Sequence, residues 1–194
     1  MQPKYSILLI FCIFYSFSCQ GIKYIIPKTL DVIIKQNNPL GNQNQIILNN
    51  TLKISSLLNG FTSFLTCILV ECEYFQRLKL LKILIWISFT CSLFVLFSQN
   101  YFVILICLFK SIVIMIDQVI ETYASESIET KRRVFFLSIL NCLQSLSNFS
   151  SALTTDNLLE VNYKYNFIMF SSIFMIMIIV SYFFTKEKYK AVIK

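Results

Sequence analysis

YFVILICLFKSIVIMIDQVIETY, Tyr101–Tyr123, is an apolar run interrupted by three ionisable side chains, Lys110, Asp117 and Glu121. An ionisable group at the depth of a bilayer costs about 3 kcal/mol unless it meets a wet cavity or a partner, so each of the three is a functional candidate. Spacings of seven and four residues put them on one helical face. That face is predicted to point inward, with Lys110 and Asp117 beside a path for a polar or charged solute, or with Lys110 satisfying Asp117 as a structural pair and Glu121 reaching the interface.

The remainder of the chain is also rich in apolar residues. Of 194 residues, 56% are hydrophobic, 15% aromatic and only 14% charged, too little polar surface for a water-soluble domain. The net charge of +7 resides in short basic clusters between apolar runs instead of along a solvated face, which argues against a nucleic-acid partner. The partner these numbers predict is the lipid bilayer.

A hydrocarbon layer about 30 Å thick and a rise of about 1.5 Å per residue require about twenty apolar residues per span. Six runs meet this: Tyr5–Ile26, Leu52–Cys72, Lys79–Ser98, Tyr101–Tyr123, Val134–Leu153 and Tyr165–Thr185. The predicted fold is an all-α polytopic membrane protein, with residues 1–194 forming one domain of six transmembrane helices. Pro27–Thr51, rich in Asn and Gln, is the one long connection and is read as an external loop. Continuous apolar runs exclude the ten-residue alternation of a spanning barrel.

Basic residues orient the chain. With the N-terminus inside, Lys4, Arg77, Lys79, Lys82, Lys131, Arg132, Arg133, Lys186, Lys188, Lys190 and Lys194 are cytoplasmic, eleven in all, against Lys23, Lys28, Lys35, Lys53 and Lys164 outside. Both termini are therefore expected in the cytoplasm, and the Asn49-Asn50-Thr51 sequon in the external loop as a glycan acceptor. The first segment also reads as a cleaved signal peptide, with Ser6–Phe17 as its apolar region; the return of apolar residues at Ile22–Ile26 favours a retained helix.

Chemistry at a nucleophile or a metal has little to build on. There is no histidine, and none of the seven cysteines forms a CxxC pair. No nucleophile–base pair or phosphate-cradling glycine loop occurs either, so no catalytic residue, metal site or cofactor is assigned and the chain is not read as an enzyme.

Two polar stripes run through the spans: Ser56, Asn59, Ser63 and Thr66 in the second, and Ser138, Asn141, Ser145 and Asn148 in the fifth. They serve either close helix packing or a water-accessible path. Asn141, whose amide has four hydrogen-bonding sites to satisfy, and Gln144 are the path candidates here.

The links between spans carry the most specific motifs. Glu73-Tyr74-Phe75-Gln76-Arg77-Leu78-Lys79 resembles the D-x-x-G-R-[RK] loop between helices 2 and 3 of the major facilitator superfamily. Tyr123-Ala124-Ser125-Glu126-Ser127-Ile128-Glu129-Thr130-Lys131-Arg132-Arg133 resembles the Y-x-x-E-x-x-P-x-x-x-R-G signature after helix 4 in its sugar-porter and organic-ion branches. Lys110 falls where that family has an Arg in helix 4, Tyr163-Lys164-Tyr165 looks like its W-R-W, and Asn141 stands where sugar porters carry a substrate-contacting Gln.

This resemblance covers the amino-terminal six-helix half of a twelve-helix family. It implies two inverted three-helix repeats and movement of a sugar or organic ion by alternating access. It also implies a charge network of Glu73, Arg77, Glu126 and Arg133 that latches the cytoplasmic side. A single half does not enclose a midplane site, so the resemblance further implies a partner: a second copy, a separately encoded carboxy-terminal half, or the rest of a longer product. Gln76, Leu78, Glu129 and Val134 depart from the motifs, and only three glycines are present. Those departures support a second reading, a non-transporting divergent membrane protein with a structural or regulatory role.

Overall fold

A computed structural model of the chain describes residues 3–37, 44–72, 77–97, 102–127 and 130–182. Among them only Cys72 and Asn162 lie outside a helix. The helices are α1 (Pro3–Asn37), α2 (Asn44–Glu71), α3 (Arg77–Phe97), α4 (Phe102–Ser127), α5 (Thr130–Val161) and α6 (Tyr163–Tyr182).

Four of these are long and apolar enough to cross a membrane, over Leu48–Glu71, Arg77–Phe97, Val103–Tyr123 and Tyr163–Tyr182. That makes the chain an all-helical protein compatible with integral membrane insertion. The sequence had pointed to six such spans; α1 and α5 are not among these four.

Several boundaries correct the sequence reading. The expected external loop Pro27–Thr51 is largely helical, since α1 runs on to Asn37 and α2 begins at Asn44. Tertiary contact overrides local composition here: Thr29 and Leu30 are fully buried beyond Pro27, and Leu48 and Leu52 pack against the core. The Asn49 sequon consequently lies within α2, with Asn49 exposed. Arg77 opens α3 and Glu126 closes α4, so neither sits in a connection.

Tertiary contacts fix the helix directions. Ser151 bonds the Phe17 carbonyl and Asp156 meets Tyr24 and Lys28, so α1 and α5 run parallel. Asn166 on α6 bonds the Thr155 carbonyl across the tight α5–α6 turn. Arg77 with Glu126, and Lys82 over the Tyr182 ring, bring the start of α3 to the ends of α4 and α6. The start of α3 and the ends of α4 and α6 thus share one end of the bundle; the Lys28–Asp156 contact lies at the other.

The pairings have an internal regularity. Exchanging the first three helices for the last three maps the α1–α5 pair onto α4–α2 and the α3–α4 pair onto α6–α1, and it leaves α3–α6 and α1–α4 unchanged. The α5–α6 and α1–α2 pairs fall outside this pattern.

Burial follows the same division. The apolar core is built by α1, α3, α4 and α6, with Phe11, Tyr15, Leu81, Ile85, Phe109 and Phe174 among its members. Phe109 stands edge-on to Phe174 at 5.9 Å, a favourable aromatic geometry. By contrast, the buried side chains that the described residues of α2 and α5 contribute all bear hydroxyls: Ser55 and Thr66 on α2, and Ser147, Ser151 and Thr155 on α5. Only 11% of the apolar window of α2 is buried, against 50% for α4, so α2 is a peripheral helix.

Close approach of α1 to α5 and α6 depends on Gly21. A Cβ at that position would meet the Ser151 hydroxyl and would come within 2.9 Å of the Phe170 ring. Gly60, within the polar stripe of α2, has nothing within 4 Å of the corresponding position. One glycine is a packing requirement and the other is not.

Candidate functional site

Asp117 does not pair with Lys110. Its carboxylate takes a salt bridge from Lys23 of α1 at 3.1 Å, with side-chain exposures of 34% for Lys23 and 23% for Asp117. Lys23, expected among the external basic residues, is carried by the long helix α1 against α4. Tyr15, buried beneath, donates its hydroxyl to the Val113 carbonyl at 2.9 Å and fixes the α1–α4 contact on which the ion pair rests. Cys19, fully buried, lies between Tyr15 and Lys23 on α1.

The two other charges of the α4 stripe are placed differently. Lys110 is half-buried and, among the described residues, makes no ion pair. Glu121 is exposed. One position from Lys110, the buried Ser111 hydroxyl lies 2.9 Å from Asn59 Oδ1 and 3.0 Å from the Cys107 carbonyl, so its single proton is shared between α2 and its own helix. Asn59 is thus the member of the α2 stripe that ties two helices together.

The α5 stripe lies away from the core. Ser138, Asn141 and Ser145 are exposed on the outer surface of the bundle, while Gln144 and Asn148 are half-buried. The inward ridge is Ser147, Ser151 and Thr155 instead. Helix α5 carries polar residues on two faces, and helical spacing does not say which of them turns inward. Asn141 therefore does not line a path inside this bundle.

At one end of the bundle Arg77 Nη2 meets Glu126 Oε1 at 2.6 Å. Two members of the expected charge network are thereby joined. Glu73 lies outside the described residues; Arg133 falls in the first turn of α5, and its side chain likewise lies outside them. Arg77 occupies the N-terminus of α3 and Glu126 the C-terminus of α4, the ends at which each macrodipole disfavours that sign of charge. Their mutual contact offsets both penalties.

The opposite end has its own cluster, which motif reading did not find. Asp156 accepts from Lys28 at 2.6 Å and from the Tyr24 hydroxyl at 2.7 Å, and the Lys28 ammonium stands 4.0 Å above the Tyr24 ring. The lysine and tyrosine hydrogen bonds hold the Asp156 carboxyl below its ordinary value, and the same carboxylate holds Lys28 above its own. A lowered carboxyl contributes stability that is complete above about pH 4 and is lost as the pH falls through the folded-state value. Asp156→Asn is thus expected to cost less than about 1 kcal/mol at neutral pH, the range of solvent-screened pairs, and nothing once both forms are protonated. Thermal unfolding of both chains in detergent between pH 7 and pH 3 (about one pH step per scan) checks this, and a gap that widens on acidification contradicts it.

No family model matches the chain, and neither a curated protein nor a solved structure is found to match it.

Proposed function

We propose that this chain is one six-helix half of a major-facilitator-type transporter, with α1 and α5 spanning the bilayer alongside the four apolar helices, both termini cytoplasmic, and a sugar or organic ion as its cargo. The observation that carries the reading is the Arg77–Glu126 pair. The two motifs that resemble the family supply one charge each, and the fold brings those two charges into contact at 2.6 Å. Helix pairing that survives exchange of helices 1–3 with helices 4–6 supports two inverted repeats. The Lys23–Asp117 pair at the α1–α4 contact supplies polar groups at span depth, which a purely structural bundle has little reason to keep.

Alternating access gives the Arg77–Glu126 contact a task. It closes the cytoplasmic end in one conformer and breaks in the other, which suits a half-exposed pair worth no more than about 1 kcal/mol. Vesicles that carry the purified chain are expected to take up one member of a panel of labelled sugars, organic cations and organic anions with saturable kinetics. Glu126→Gln is expected to reduce that uptake while leaving thermal stability within about 1 kcal/mol of the parent. The exchange Arg77→Glu with Glu126→Arg restores it, because each charge then sits at the helix end that favours it. Uptake that stays flat across the panel overturns transport by this chain.

The second reading, a non-transporting structural or regulatory membrane protein, draws on the outward placement of Ser138, Asn141 and Ser145. In that case the Arg77–Glu126 exchange changes stability alone.

A further inference from the structure

Among the described residues, the outer face of α5 mixes exposed polar and apolar side chains. Ser138, Asn141, Cys142, Ser145, Phe149 and Leu153 are all exposed, and their spacing aligns them along one side of the helix. Among the described residues the Asn141 side chain has no hydrogen-bond partner, whereas the Ser138 and Ser145 hydroxyls turn back onto the carbonyls of Val134 and Asn141. With α5 spanning as proposed above, that unmatched amide faces hydrocarbon, which is costly because lipid offers neither donor nor acceptor.

We infer that this ridge is the contact between two copies of the chain, related by a two-fold axis along the membrane normal. Such an axis sets each residue of the ridge against its own counterpart at the same depth. Three properties of the ridge suit that arrangement. A carboxamide both donates and accepts, so Asn141 satisfies Asn141 of the other copy where an acid or a lysine would repel itself. From Val134 to Thr155 the chain contains no charged residue, although its net charge is +7, so the contact is free of like-charge conflict. Ser138, Cys142 and Ser145 are small, which lets two helix backbones approach closely. A separately encoded half would need no such self-matching chemistry.

The functional meaning of this contact rests on the half-transporter reading, for which it supplies the second half from the same chain. Self-association is nevertheless read without any solute. Cys142 is exposed on the ridge and Cys67 is exposed on α2, which gives a reporter and a control in the native chain. Copper-phenanthroline oxidation of membranes containing the full chain is expected to yield a disulfide-linked dimer on a non-reducing gel, because opposed cysteines on a close-packed helix pair fall within bonding distance. The dimer should be lost in Cys142→Ser and retained in Cys67→Ser. Ser138→Cys and Ser145→Cys, each in the Cys142→Ser background, are expected to restore it one turn away on either side. A dimer that survives Cys142→Ser overturns the proposal, as does failure of all three ridge cysteines to cross-link. Cross-linking without uptake would leave the dimer standing and remove the transport reading; uptake by a chain that does not cross-link would do the reverse.

Discussion

Gly21→Leu is expected to abolish the folded bundle. The α1–α5 contact is drawn so tight that even a Cβ at this position meets the Ser151 hydroxyl and approaches the Phe170 ring to 2.9 Å. Neither neighbour has room to retreat: Ser151 is bonded to the Phe17 carbonyl at 2.8 Å, and Phe170 is wedged against Phe167 in the core. Overpacking by one methyl group costs about 1–3 kcal/mol, so Gly21→Ala is expected to lower the unfolding midpoint clearly, and the branched leucine exceeds what a marginally stable fold tolerates. Gly60 provides the internal comparison. Alanine there meets open space and gains helix propensity, so Gly60→Ala is expected to be neutral or to stabilise by up to about 1 kcal/mol. Thermal unfolding in detergent, together with the fraction eluting as a monodisperse species, measures both substitutions. Equal tolerance of alanine at the two glycines would mean that α1 and α5 do not approach as closely as described.

The second large effect concerns Lys23 and Asp117. Removing one partner leaves the other charged, about two-thirds covered and without compensation; removing both leaves none. Asp117→Leu alone is therefore expected to destabilise by about 2 kcal/mol, below the 3–5 kcal/mol of fully buried pairs because both side chains keep some access to solvent. Adding Lys23→Met should recover most of that loss, since apolar replacement of an ion pair is often neutral or better. A double-mutant cycle on unfolding in bicelles reads the coupling. The same double mutant separates the two roles of the pair: restored stability with lost uptake assigns it to the solute path, and restored stability with unchanged uptake assigns it to packing. Losses that simply add across the cycle would show that the two charges do not interact.

The helical runs were legible because apolar continuity over about twenty residues is a strong signal that needs no tertiary information. The Arg77–Glu126 contact was legible for another reason: both residues stand at helix ends that border short links, at the same end of neighbouring helices. Lys23 was not, because a lysine near the end of an apolar run is indistinguishable from an interfacial anchor until the neighbouring helix is placed. Nor was the orientation of α5, whose two polar ridges are equivalent by spacing and differ only in what surrounds them. The helix through Pro27 was hidden by composition. Proline lacks an N–H and the segment beyond it is rich in Asn and Gln, yet burial of Thr29 and Leu30 keeps the chain helical.

Helix α1 has a mechanical consequence. Its 35 residues extend to about 50 Å, some 20 Å more than the hydrocarbon layer is thick. With α1 spanning as proposed, the surplus is an arm that stands clear of the lipid, and Lys28 clasps it to α5 through Asp156. Pro27 sits at the foot of that arm and deprives the Lys23 carbonyl of its helical hydrogen bond, which makes the foot the most compliant point of the helix. Lys28, one residue past Pro27, ties the arm to α5 at that joint, so bending there works against the Asp156 contact.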